Sequence, residues 1–99
     1  MIVESTLYYA RAGQVDAVLA QRRMANDLRM RLGLPPGRIF RKVEGDGPDV
    51  RWECPFATRA EHERDMAVRA ASPEFAALRQ AMRALLERFE RHLQESVEG

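Results

Sequence analysis

Residues Val50 to Phe75, VRWECPFATRAEHERDMAVRAASPEF, impose an order of elements that few small folds accommodate. Val50, Trp52, Cys54 and Phe56 alternate with Arg51, Glu53 and Pro55, the period-two pattern of a strand. Pro55 suits a strand terminus, a bulge or an edge. Thr58 and Glu61 have capping-box spacing, a hydroxyl at the cap and a carboxylate three residues on. A short helix to about Ala71 follows. Ser72-Pro73-Glu74 then starts a second helix, with a Ser cap, proline at the first helical position and an acid in the first turn.

The flanking segments extend the pattern. Ile2 to Ala10 is rich in β-branched and aromatic residues and reads as a strand, with Val3, Ser5, Leu7 and Tyr9 on one face and Ile2, Glu4, Thr6 and Tyr8 on the other. From Val15 to Leu32 the period becomes helical, through Val15, Val18, Leu19, Arg22, Ala25, Leu28 and Leu32. Gly33 and Pro35-Pro36 stop that helix. Arg38 to Glu44 reads as a strand, joined to Val50–Phe56 by the Gly/Asp-rich turn Gly45–Asp49 as a hairpin. After Pro73, the apolar stripe of Phe75, Leu78, Met82, Leu85, Leu86 and Phe89 predicts a helix. By periodicity alone Glu87 to Val97 continues that helix, although Phe89, Arg91 and Leu93 could equally share one face of a strand.

At 99 residues the chain reads as one domain, 1–99. Its net charge of +1 comes from fifteen Arg and one Lys interleaved with fifteen acids. That mixture fits a solvated, ion-paired surface and argues against a nucleic-acid partner. A lone cysteine, Cys54, rules out an internal disulfide and fits a reducing compartment. No apolar run approaches the ~20 residues that span a bilayer. The N-terminal MIVESTLYYARAG lacks the basic start and apolar core of a secretion signal. The expectation is a cytoplasmic protein without a membrane partner.

Strand, helix, strand, strand, broken helix and a possible last strand is the order of a ferredoxin-like α+β fold, βαββαβ around an antiparallel four-stranded sheet. The fold requires Arg88 to Glu95 to be extended, against the periodicity. It also leaves one sheet face without helices. Large apolar groups fall on both faces, so the bare face predicts a second copy of the chain as its cover, giving a homodimer.

The start MIVESTLYYARAGQVDAVL, the segment VRWECPFATRAEHER and the run SPEF followed by AALRQAMRALLERFERHL resemble NIPSNAP-type dimeric α/β-barrel proteins over nearly the whole chain. The resemblance implies the ferredoxin-like fold, the dimeric barrel and a final strand over Arg88–Glu95. The wider superfamily includes cofactor-free monooxygenases and haem-degrading enzymes. Haem-degrading members place a histidine one turn after the aromatic of the SPEF-like segment, where this chain has Arg79, and neither His62 nor His92 lies there. No cofactor is therefore expected.

Chemistry is sparse. Cys54, His62 and His92 are too dispersed for a metal site, and there is no phosphate loop or serine elbow. His62 reads as a solvent-facing helix residue beside Glu61 and Glu63. Cys54 reads as an inert packed thiol. Ligand-binding candidates are Tyr8 as a hydrogen-bond donor, Arg51 as an anion contact and Trp52, which reads more naturally as core. Candidate general bases are His92 and Glu53. The functional expectation is a small dimeric barrel that takes a small apolar or aromatic ligand in its lumen. The alternative is a cofactor-independent monooxygenase or isomerase of an aromatic or enolisable substrate.

Overall fold

The computed structural model describes residues 1–97. Strand β1 (Ile2–Ala10) leads into helix α1 (Val15–Arg31), then strands β2 (Arg38–Arg41) and β3 (Val50–Phe56). Helices α2 (Arg59–Ala70) and α3 (Pro73–Ala84) follow, and strand β4 (Leu86–Glu95) closes the chain. The sheet order is β2-β3-β1-β4 with every neighbouring pair antiparallel. This is the ferredoxin-like fold. β2 is shorter than the sequence suggested, since pairing beyond Arg41 gives way to the glycine turn.

Local chemistry sets each helix boundary. Thr58 Oγ1 accepts the Glu61 N–H at 3.2 Å, while the Glu61 carboxylate accepts the Ala57 N–H at 3.1 Å, one residue ahead of the cap. Ser72 Oγ accepts the Phe75 N–H at 3.1 Å. α1 ends in a Schellman motif: Gly33 N–H donates to Met30 O at 3.0 Å and Leu34 N–H to Arg29 O at 2.8 Å, with Gly33 at φ +78°.

The helical period continues past Ala84, yet the chain turns extended at Leu86. β1 supplies a complete ladder of partners from Ile2 to Ala10 for this segment, with one irregularity between Tyr9 and Ala10. Ladder bonds along a central strand outweigh a weak local propensity.

Alternation along β3 divides inside from outside. Val50, Trp52, Cys54 and Phe56 are buried, while Arg51 and Glu53 are half-buried and Pro55 is exposed. Glu4, Thr6 and Tyr8 share the inner face with Trp52 and Phe89, and all three helices pack on that side. The thinnest dimension is 18 Å, one sheet and one helical layer. The outer face therefore carries no helix among the described residues. It presents Val3, Leu7, Tyr9 and Phe40 among ion-paired side chains.

After α1, Pro36 O accepts the Trp52 Nε1–H at 2.9 Å. The next residue, Gly37, has φ +75°, and a Cβ there would lie 2.5 Å from Trp52 Nε1 and 2.7 Å from Glu53 O. Gly33 has a similar φ but open space around it. Gly33→Ala should therefore cost about 1 kcal/mol, the left-handed penalty alone. Gly37→Ala should cost more than about 2 kcal/mol, because it also displaces Trp52 and the β3 backbone. Urea midpoints of the two variants, at unchanged slope, check this ranking.

Candidate functional site

Between the inner sheet face and helices α1 and α3 lies a cavity of about 220 Å³. Its floor is Glu4, Thr6, Tyr8 and Trp52, and its apolar walls include Phe75, Met82 and Phe89. The volume exceeds the roughly 150 Å³ of an engineered cavity that takes benzene, and falls below the ~300 Å³ of a typical ligand pocket.

Beneath and beside the cavity sits a buried charge network. Glu4 is 1% exposed, in the middle of a central strand. Its carboxylate accepts hydrogen bonds from His62 Nε2 (2.8 Å), Arg69 Nη2 and Nη1 (2.8 and 3.0 Å) and Arg91 Nε (3.3 Å). Burial alone would raise its pKa. The Arg69 hydrogen bonds and charge, followed by the His62 and Arg91 contacts, outweigh burial and hold it at about 2. Asp65 accepts from Arg29 at 2.6 and 3.2 Å and from Arg69 Nε at 3.0 Å, so Arg69 links the two carboxylates. Burial pushes the Cys54 thiol up despite Arg29 Nη2 at 3.8 Å, leaving an unreactive thiol.

Arg22 stands apart from this network. It is 6% exposed and lines the cavity, with its guanidinium carbon 4.4 Å from the Trp52 ring centroid. Its Nη1 donates to Tyr8 Oη at 3.1 Å, and its Nε and Nη2 donate to Asn26 Oδ1 at 3.1 and 2.9 Å. Both acceptors are neutral, and Arg22 forms no ion pair among the described residues. Burial pushes its pKa down, and the contact with Tyr8 opposes this. Arg79 and Arg83, at the exposed rim, lie over Phe75 and Phe89.

Of the candidates named from sequence, the structure brings Tyr8 and Trp52 into this cavity. Arg51, Glu53 and His92 lie on the opposite face. The ligand-binding candidates Tyr8, Arg51 and Trp52 and the base candidates His92 and Glu53 therefore do not share one pocket. Adjacent residues of a strand point to opposite sides, so Arg51 and Trp52 cannot share a wall. Ser5 pairs with Glu53 on one side and His92 on the other, so the two base candidates stand about 10 Å apart across three strands. Arg51 is engaged with Glu53 at 2.6 Å, and His92, 46% exposed, contacts Glu90 at 3.2 Å.

His62 corrects a second expectation. It is buried rather than solvent-facing, with its ring edge-on to Phe56 at 5.1 Å. Sequence reasoning also missed Arg22, Arg29, Asp65 and Arg69. A signal existed: Arg22 and Arg29, seven apart, lie on the inward stripe of α1. His62, Asp65 and Arg69 have the i, i+3, i+7 spacing of an inward stripe on α2, a helix whose Met66 and Val68 are exposed.

No family model matches the chain, and no curated protein sequence matches it. Solved structures match in fold. A NIPSNAP domain protein from Burkholderia xenovorans aligns with TM-score 0.78 and 18% identity, over 98% of this chain and 95% of that one. An antibiotic biosynthesis monooxygenase aligns with TM-score 0.71 and 17% identity, over 99% and 100%. A dimeric protein of ferredoxin-like fold from Bacteroides fragilis aligns with TM-score 0.71 and 14% identity, over 96% and 95%. The chain thus has a NIPSNAP-like, ferredoxin-like fold.

Glu4 makes stability acid-sensitive. Its folded pKa of about 2 lies below the ordinary 4.5, so its contribution is full above pH 4.5 and is lost as pH falls toward 2. The shift corresponds to about 3 kcal/mol. Glu4→Gln should lose about 2–4 kcal/mol at pH 7, stranding buried guanidiniums, and should flatten this acid limb. Urea unfolding across pH 2 to 7 provides the check.

Proposed function

We propose that this protein binds a small aromatic molecule in the cavity between its sheet and helices, and that two copies pair through their bare sheet faces. The observation that carries the binding reading is the cavity itself: aromatic and aliphatic walls with convergent polar groups, Tyr8 and Glu4 on its floor and Arg22 reaching in from α1, and further arginines at its edge. Trp52 is the sole tryptophan and forms part of that floor, so ligand entry should alter its fluorescence. Titration with neutral and charged one- and two-ring aromatics should give a saturable change. Thr6→Phe, which fills the floor, should abolish it while leaving the far-UV circular dichroism intact. A full set of non-saturating titrations rules the reading out.

The dimer reading draws on the half-buried Val3, Leu7, Tyr9 and Phe40 of the face without helices and on the dimeric state named for the structurally similar Bacteroides fragilis protein. Leu7, on a central strand, lies well inside this face. Leu7→Lys should convert a dimer to a folded monomer in light scattering at micromolar concentration. A monomeric parent protein contradicts the reading.

Cofactor-independent oxygenation or isomerisation is a second reading, favoured by the Tyr8–Arg22 pair, which suits an enolate or phenolate oxygen. Glu4, the cavity's carboxylate, is held at about pKa 2 and is a poor base there. His92 and Glu53 would face the partner's sheet in the proposed dimer, remote from Tyr8. Binding without turnover therefore accounts for more of the geometry. Oxygen uptake with a bound polyphenol would reverse that ranking.

A further inference from the structure

The buried charges do not balance. In and below the cavity three guanidiniums with little exposure, Arg22, Arg29 and Arg69, meet two buried carboxylates, Glu4 and Asp65; Arg91, 44% exposed, also reaches Glu4, and the exposed Arg79 and Arg83 stand at the cavity rim. Arg29, Arg69 and Arg91 each contact one of those carboxylates directly. Arg22 does not, and it is the more costly residue to leave so. A guanidinium 6% exposed has lost most of its water, and neutral acceptors return only part of that solvation. Stacking on Trp52 recovers some more.

Unused donors accompany the uncompensated charge. Three of the five Arg22 N–H bonds are taken by Tyr8 and Asn26, leaving one on each Nη without a protein acceptor. The Tyr8 hydroxyl accepts from Arg22, and its own proton finds no acceptor among the described residues. Two side chains from different elements, both lining the cavity, thus present spare donors and a net positive charge. Above them stand Phe75, Met82 and Phe89, surfaces for a ring.

We infer that the ligand of this cavity is an aromatic carboxylate, its oxyanion held by Arg22 and Tyr8 and its ring against Phe75, Met82 and Phe89. The inference rests on the binding reading above and names the chemical class that fits. A carboxylate supplies the missing counter-charge and accepts from both donors at once, a charge-assisted arrangement that a neutral isostere cannot reproduce.

Benzoate and benzamide differ by this feature at nearly constant shape. In calorimetric titration of the unaltered protein at pH 7, benzoate should bind at least about tenfold more tightly than benzamide. Arg22→Met should weaken benzoate far more than benzamide and so erase the preference, Arg22→Lys should keep part of it, and Tyr8→Phe should weaken benzoate several-fold. The parent-protein comparison stands even if a variant at the buried Arg22 fails to fold. Equal affinity for the two probes overturns the carboxylate inference and leaves the binding reading standing. Failure of both to bind at millimolar concentration, while neutral aromatics saturate Trp52 fluorescence, likewise overturns the inference alone. Failure of every aromatic removes both readings.

Discussion

A carboxylate in the middle of a central strand, with helices packed above it, has to find positive partners or lose its charge. Glu4 finds them on two separate elements: His62 and Arg69 from α2, and Arg91 from β4. These contacts pull α2 down onto the sheet, although that helix brings no apolar stripe of its own. Arg69 then extends the same charge network to Asp65 and, through it, to Arg29 on α1. Burial usually makes such a network costly, and hydrophobic replacements can match it in stability. What the ion pairs give here is a specific relation of two helices, α1 and α2, and two strands, β1 and β4, since each donor reaches its acceptor in only one arrangement.

The position of that network bears on function. It occupies the inner sheet face below and beside a cavity walled by Phe75, Met82 and Phe89 and edged by Arg79 and Arg83. Arg22 is left out of the pairing, because the two available carboxylates are already engaged by other arginines. The cavity is therefore lined by positive charge as well as apolar groups. The other sheet face has different chemistry. Its charges, Arg51 with Glu53 and Arg88 with Glu90, are paired and partly solvated, and its apolar groups are spaced among them. A surface of that kind suits association with a second protein surface better than enclosure of a small molecule.

Much of the fold was legible in local chemistry. Thr58, Ser72, Gly33 and Pro73 each act at the boundary where their backbone preferences place them. The alternation of Val50, Trp52, Cys54 and Phe56 is the pattern of burial observed. The last strand was ambiguous, since an apolar period of a helix runs into Leu86 and only the open edge of β1 decides against it. The candidate site was legible in part. Tyr8 and Trp52 were identifiable as aromatic groups on inward faces, but Arg51 was grouped with them against the parity of its own strand. His62 was read as solvated because nothing within a few residues of it shows that Glu4, 58 positions away, lies opposite.

Sequence alone set the order of elements, the helix boundaries and the two-faced character of β1 and β3, because capping, glycine backbone freedom and strand alternation act over a few residues. Tertiary structure decided which carboxylate each arginine meets, where the chain stops being helical after Ala84, and which of two sheet faces holds a cavity. Those outcomes depend on Coulombic and packing partners far apart in the chain. Residue type fixes the demand for a partner, and only the assembled fold determines whether Glu4 satisfies it and Arg22 does not.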